Sequence, residues 1–522
     1  MNLRIYGMAS LVFMFSSAGV LAQETESEVQ SASSDTAGIA GEETDELDDE
    51  YFDFGEDAGL DFTGTPETTQ QMTVITKAEI EKRNAQDLAA LLEETLDMSV
   101  TRYGAYGSQT ELNMRGFDTE RIAILIDGIP ANSPRSGEFD VSQVDLNNVE
   151  RIEVIYGGSD TKYNVSGALG GVINIVTIKK QPPGLSWGGA LSNTGYLPGY
   201  YNKRHGDGTP GSPHAEDLLD MQSLSLFAGY GAEAFSWKAS IFGNRAGNHY
   251  LYEDDYGFAR RKISSEVLDG GTAASLAWNL TDTTTLLSDT KLYTARKNFP
   301  VTPNSEGYAV SNDIQVTENI LFNAPVIFRD NLSTEASFSY QFSDTSYGIG
   351  ISSNDHYITA INRWGWYPSP KITVRTGADW RFLHINSRSD TETNPIKTGN
   401  QGGLYLTGEF LPWEPFLIIA SAKAVTDVKQ AVLVPKLGFN WKVSPVLTLK
   451  NNYFRSFKFP DFDDLYYRSF DSMFVGNPTL RAEDGFGADL GGEFTPADWF
   501  TVNATLYGQW TEDSIHWVKS SG

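Results

Sequence analysis

Cysteine is absent from the chain, which excludes a disulfide framework, a thiolate metal site and a cysteine nucleophile. Histidine is scarce: the six residues are scattered and make no metal-ligand spacing. No run approaches the roughly 18 consecutive apolar residues of a membrane-spanning helix. Cations are few, with 39 Lys and Arg against 68 Asp and Glu and a net charge of -29. That balance argues against a nucleic-acid partner, because binding phosphates needs clustered Lys and Arg. There is no P-loop, no His-Glu-x-x-His helix and no Gly-x-Ser-x-Gly elbow. Gly167-Ala168-Leu169-Gly170-Gly171-Val172 has the glycines of a dinucleotide loop but leads into a β-branched strand, so a phosphate would find no helix N-terminus there. Neither a catalytic residue nor a resident cofactor or metal is therefore expected.

Glycine reaches 49 residues and aromatics 12% in a chain of 522, longer than one ordinary domain. Residues 1–22 read as a secretory signal peptide. Arg4 supplies the positive start, Met8 to Val20 the apolar stretch, and Val20-Leu21-Ala22 a cleavage site before Gln23. Residues 23–64 are acidic, with fifteen Asp and Glu and no Lys or Arg between Gln23 and Asp61. Such a segment cannot bury enough apolar surface to fold and serves either as a partner-binding arm or as a solvated spacer.

Residues 65–180 read as one mixed α+β unit. Met72 to Ile75 is a strand, Thr76 and Glu79 form a capping box, and Asn84 is a second N-cap with Asp87 in the first turn. Leu88, Leu91 and Leu92 fall on one helical face. The runs Ile122 to Ile126, Val149 to Tyr156 and Gly171 to Thr177 are short, β-branched and closed by glycine turns, as buried strands are. The loops Tyr103 to Thr110 and Asn132 to Asp140 are rich in Gly, Ser, Asn and Tyr.

From residue 181 to 522 the period becomes 2. Phe235, Trp237, Ala239 and Ile241 alternate with Ser236, Lys238 and Ser240, and Ala336, Phe338, Tyr340 and Phe342 with Ser337, Ser339 and Gln341. A soluble sandwich would alternate in the same way, so the connections decide. Tight turns at 231–234, 281–284, 368–370, 412–415 and 495–498 alternate with long polar loops at 193–220, 244–270, 386–400 and 458–484. Short and long connections in alternation belong to a transmembrane barrel with short periplasmic turns and long external loops. Trp187, Tyr230, Trp278, Trp364, Trp366, Trp441 and Trp499 near strand ends fit its aromatic girdles. About fifteen strands are expected. An open sheet of that size cannot sit in lipid with free edges, so the barrel is expected to be truncated here. Glu253-Asp254-Asp255 and Asp461, Asp463 and Asp464 could hold Ca²⁺ or be solvated loop charge.

Met114-Arg115-Gly116, Leu125-Ile126-Asp127-Gly128 and Gly170-Gly171-Val172-Ile173-Asn174-Ile175 combine with Phe457-Lys458-Phe459-Pro460, Asp464-Leu465-Tyr466 and Gly476-Asn477-Pro478-Thr479-Leu480. Together they resemble TonB-dependent outer-membrane receptors over nearly the whole mature chain. Tyr156-Gly157-Gly158 and Tyr163-Asn164 depart from the family's Arg-Gly-Pro and Tyr-Gly. The resemblance implies an α+β plug domain inside a large antiparallel transmembrane β-barrel of roughly 22 strands. It also implies a location in the cell outer membrane and capture of a bulky nutrient such as an iron–siderophore or cobalamin. Import would be energised by TonB with its ExbB/ExbD complex, and the barrel would contact outer-membrane lipid. The coupling segment falls at Leu60 to Thr65, with Leu60, Phe62 and Thr63 as TonB contacts.

Gly116, Gly128, Gly170 and Gly171 are expected to allow tight turns and close approach to the wall. Arg115 would either anchor the plug through buried charge-assisted bonds or form an exposed salt bridge. Asp127 is expected to cap its own turn. Ligand capture falls to the outward plug loops through Tyr103, Tyr106, Asn132 and Arg135: aromatic planes, an amide and a cation. The competing reading is a plugged porin-like or adhesin-type barrel without TonB coupling.

Overall fold

The structure is a computed structural model. It describes residues 12–17 and 69–518 except 70, 84, 86, 95–97, 104–105, 159–164, 196–218, 249–250, 254–258, 262–264, 301–307, 349, 390–395, 469–474 and 498. Fourteen antiparallel strands from Met221–Gly231 to Phe500–Glu512 follow one another in a meander and, with Val12–Ser17 on the far edge, form a 15-stranded sheet. Gly184–Thr194 lies beside the other edge, where Ser186 Oγ donates to the Gly229 carbonyl at 3.4 Å and Gln222 Nε2 to Asn193 Oδ1 at 3.0 Å. Val12–Ser17, the apolar part of the expected export signal, pairs with Val502 to Tyr507. The barrel does not close between the strands around Gly184–Thr194 and Phe500–Glu512.

Burial separates the barrel from a sandwich, because the apolar face is the one left outside. Along Val267–Asn279, Leu268, Leu276 and Trp278 are exposed while Asp269 and Ser275 are buried. The pattern recurs: Leu404, Leu406 and Phe410 point out, and Lys423, Asn452 and Asp489 are buried within. So large an exposed apolar belt calls for lipid. Most short connections gather at one rim, at 232–234, 280–284, 370–371, 414–415, 445–446 and 498–499. The opposite rim carries the long ones but also two tight tips, 348–350 and 427–430, and the loop expected over 386–400 shrinks to 390–396. The strands simply run further out than their apolar segments do, because beyond the lipid band polar residues continue the ladder.

Inside the wall sits the plug. Met72–Thr76, Val149–Tyr156, Gly171–Thr177, Ile122–Ile126 and Ile129–Pro130 form a five-stranded sheet in that order, with Ile122–Ile126 and Gly171–Thr177 parallel. Met98–Arg102 and Thr110–Met114 make a separate hairpin. The helices Lys77–Arg83 and Leu88–Glu93 cover the sheet, burying Ile80, Leu88, Leu91 and Leu92 against Ile124, Ile152 and Ile173. The Thr76–Glu79 capping box is present, with the Thr76 N–H donating to Glu79 Oε2 at 2.8 Å. The second helix is capped not by Asn84, which lies outside the described residues, but by Asp87. Its carboxylate accepts from the Ala90 N–H at 2.8 Å and pairs with Arg102 at 2.8 Å.

Candidate ligand-binding site at the plug apex

Side chains of the polar lumen hold the plug at many points. Asn452 donates to the Thr69 carbonyl at 2.6 Å, Gln509 to the Leu169 carbonyl at 2.6 Å, and Gln341 to the Pro130 carbonyl at 3.3 Å. Ser225 donates to Asp145 at 3.0 Å, and Lys297 pairs with Asp140. The strongest link is one the sequence reading missed. Arg121, at the start of the plug strand Ile122–Ile126, donates from Nε and Nη2 to the two Glu483 oxygens at 2.9 and 2.6 Å. Both side chains are almost wholly buried. Arg121 also donates to the Ile515 carbonyl at 2.7 Å and to Asp118 at 2.6 Å.

Arg115 works differently. Met114 and Phe117 exchange backbone hydrogen bonds at 2.9 and 3.0 Å, which puts Arg115 and Gly116 at φ 52 and 83 in a tight turn. The guanidinium lies 5.0 Å from the ring centre of plug Tyr156 and 4.2 Å from that of barrel Tyr507. It bridges plug and wall by cation–π contact. Asp127 and Gly128 form a second turn of this kind, at φ 55 and 76. Here the expected self-capping is replaced: the Gly128 N–H goes to Asn174 Oδ1 at 3.0 Å, while Asp127 accepts from the Thr177 N–H and hydroxyl, each at 2.9 Å. Its carboxylate also meets Lys179 at 3.3 Å and, from the barrel, Lys291 at 3.5 Å. Burial alone would raise the Asp127 pKa, but the two ammonium groups and the Thr177 bonds bring it below the usual range. The cause is the left-handed turn, which aims the side chain away from its own loop and across to the neighbouring strand. Gly170 and Gly171 end the last plug connection; a Cβ on Gly171 would stand 2.3 Å from the Ile155 carbonyl oxygen.

At the apex, loop 131–140 rises toward the rim of long loops, where the helix Phe462–Tyr466 rests on it. The Phe462 and Asp463 N–H groups donate to the Pro134 and Arg135 carbonyls at 3.1 and 2.9 Å. Asn132 lines an apex cavity, and its amide is also engaged by the backbone. Oδ1 accepts from the Ile124 N–H at 2.6 Å, and Nδ2 donates to the Ile122 and Gly137 carbonyls at 3.1 and 2.9 Å. The reason is local: a loop turning back beside a strand leaves backbone groups unmet, and an amide supplies both donor and acceptor. Arg135 is clamped between Asp463 at 3.3 Å and Asp355 at 3.9 Å. Burial works against its charge, yet those carboxylates raise its pKa above the ordinary value. Tyr106 is half-buried and donates to Asp269 at 3.3 Å, whereas Tyr103 is exposed.

Tyr103, Tyr106 and Arg135 do share one cavity of about 510 Å³, walled by Glu138, Lys297, Tyr347 and Asp355 among others. A second cavity of about 310 Å³ lies beyond the apex loop, against Arg381, Lys397, Lys429 and Tyr466. There Lys397 sits 4.6 Å above the Tyr466 ring and Lys429 donates to its hydroxyl at 2.8 Å. The acids Asp461, Asp463 and Asp464 are neither solvated nor gathered as calcium ligands. Lys458 meets Asp461 at 2.6 Å and Asp464 at 3.4 Å, and Arg135 meets Asp463. Among the described residues no acid or histidine cluster suits a metal ion. Burial, opposed by Lys458 and Arg135 respectively, lifts Asp461 and Asp463 each to about 6. Leu60, Phe62 and Thr63 lie outside the described residues, as do Asp254 and Asp255.

Residues 65–172 match the family model described as TonB-dependent Receptor Plug Domain, and residues 185–521 match TonB dependent receptor-like, beta-barrel. The vitamin B12 transporter BtuB of Vibrio vulnificus (strain CMCP6) is 23% identical over 471 residues, 87% of this chain and 69% of that protein. The solved siderophore receptor PirA from Pseudomonas aeruginosa is 18% identical with a TM-score of 0.64, covering 84% of this chain and 74% of that one. The siderophore receptor PirA from Acinetobacter baumannii is 15% identical with a TM-score of 0.68, covering 85% and 71%.

Proposed function

Because the chain belongs to the TonB-dependent receptor family, we propose that it is an outer-membrane receptor that captures a scarce, bulky nutrient at the cell surface and imports it by energised displacement of the plug. One observation carries this reading: the lumen is filled by a globule held through polar contacts, with two cavities at its apex facing the long-loop rim. A filled lumen bars free diffusion, so passage needs capture and then work on the plug. TonB, driven by ExbB/ExbD, would supply that work through Leu60 to Thr65, with Leu60, Phe62 and Thr63 as contacts. Residues 1–22 would direct export. Relatives and neighbours named for vitamin B12 and siderophore transport support a ligand of that size class. Tyr103, Tyr106 and Arg135 are the wall of the larger cavity that would meet it, with Asn132 shaping the loop that carries Arg135.

The test is uptake. Cells lacking other receptors and expressing the chain are offered a panel of iron–siderophores, cobalamin and glycans, with and without residues 60–65. Growth on one nutrient that disappears with the deletion, or on collapse of the proton gradient, is the expected result. Growth that survives both would favour the passive, porin-like alternative.

A further inference from the structure

The outward face of the barrel carries a row of cations at one level. Strand register links Gln222 to Arg245, Arg245 to Leu268, Leu268 to Arg296, Arg296 to Asn312, Asn312 to Ser346, Ser346 to Ser352 and Ser352 to Arg388. The three arginines, Asn312 and Ser352 are exposed. Three other strand arginines meet carboxylates: Arg363 with Glu335, Arg375 with Glu409 and Arg455 with Asp484. Among the described residues, the polar contact of the row's arginines is confined to Arg245, which donates to Gln222 at 3.1 Å. The acids nearby on this face are Asp344, which accepts from Asn354 at 3.1 Å, and Glu266, one row further out. Three guanidiniums in register, none with a carboxylate partner among the described residues, are unexpected in a chain of net charge -29.

Their depth says what they meet. Four residues below Ser352 and Arg388 on the same strands are His356 and His384, whose rings lie 5.8 Å apart. Tyr340 bonds His356 at 2.8 Å, Phe342 lies 5.1 Å from it, and Trp380 and Phe382 stack at 6.4 Å. This band is the outer aromatic girdle, the boundary of the hydrocarbon. Four residues of strand rise about 13 Å, or roughly 10 Å vertically once the strand tilt is allowed for. That is the level of lipid headgroups, and the arginine stems can reach down toward them.

We propose that Arg245, Arg296 and Arg388, with Asn312 and Ser352 between them, form a docking site for anionic phosphate-monoester lipid headgroups of the outer leaflet. Guanidinium forks suit phosphate oxygens, and the intervening amide and hydroxyl add neutral donors. The test uses the whole chain in detergent micelles doped with phosphatidic acid or phosphatidylcholine, counting retained lipid by native mass spectrometry. Wild type should retain phosphatidic acid in preference. R245Q/R296Q/R388Q should lose that preference, by roughly fivefold for each arginine, whereas R245K/R296K/R388K should keep most of it. Equal retention of the two lipids by wild type, or undiminished retention of phosphatidic acid by the glutamine variant, would overturn the site. Retention by wild type that does not weaken with added salt would do so independently of any variant's folding.

Discussion

Removing the Glu483 carboxylate should loosen the plug more than any other single change at its border. The Glu483 side chain has no exposure, and it receives Nε and Nη2 of Arg121 at 2.9 and 2.6 Å and the Ile515 N–H at 2.6 Å. Glu483→Ala leaves Arg121 buried with one exposed partner, Asp118, and one carbonyl. Breaking a buried pair from one side costs about 3–5 kcal/mol, because the remaining charge stays desolvated. Removing both partners with apolar residues of similar size costs far less. The measurement is hydrogen exchange by mass spectrometry on plug peptides covering Ile122–Ile126 and Gly171–Thr177, with protein in micelles. At 1.4 kcal/mol per decade, the single substitution should speed exchange by more than about a hundredfold. Arg121→Met with Glu483→Met should restore most of the protection. Wild-type exchange in Glu483→Ala, or a double variant as unprotected as the single, would refute the link as the plug's main polar anchor.

Other outcomes follow from the same contacts. Gly171→Ala places a methyl 2.3 Å from the Ile155 carbonyl oxygen at a φ of 143, so the plug sheet should lose at least about 1–3 kcal/mol, read as faster exchange across Val149–Tyr156. Asp461 and Asp463 have values raised to about 6 mainly by burial. The docked loop therefore holds more protons than the undocked one between the ordinary carboxyl value and about 6, so docking strengthens as pH falls through that window. Protease protection of 459–468 should be greater near pH 5 than near pH 8 (both about), and the reverse trend would contradict the burial of these acids. Tyr103→Ala removes an exposed side chain from the larger cavity. It should weaken nutrient binding, measured by titration, while heat stability stays within about 0.5 kcal/mol of wild type.

The legibility of the chain was uneven for physical reasons. Alternation at Phe235 to Ile241 and Ala336 to Phe342 located the strands, because a period of 2 is written residue by residue. It did not say which face was wet; that required Leu268 outside and Asp269 inside the same strand. The turns at Arg115–Gly116 and Asp127–Gly128 were legible from glycine. The destination of the Asp127 carboxylate was not, since it crosses to Thr177 and Lys291. The place of Asn132 in the wall of the smaller cavity follows from its polar loop, but its bonds to Ile122, Ile124 and Gly137 are not written in that pattern. Nothing local singles out Arg121, which sits between Glu120 and a β-branched run. Its partner is 362 positions away, a distance over which one sequence carries no pairing signal. The two apex cavities depend on loop 131–140 meeting the helix Phe462–Tyr466, which is again a long-range encounter.

The wet inner surface of the wall has a kinetic corollary. Many staves grip the globule through a polar group of their own, and water can take over such a partner as it lets go. Movement of the stopper can then proceed through a ladder of small, hydrated steps, with only small apolar contacts such as Tyr106 on Val267 to be bared. A single large hydrophobic seat would instead have to be torn open all at once.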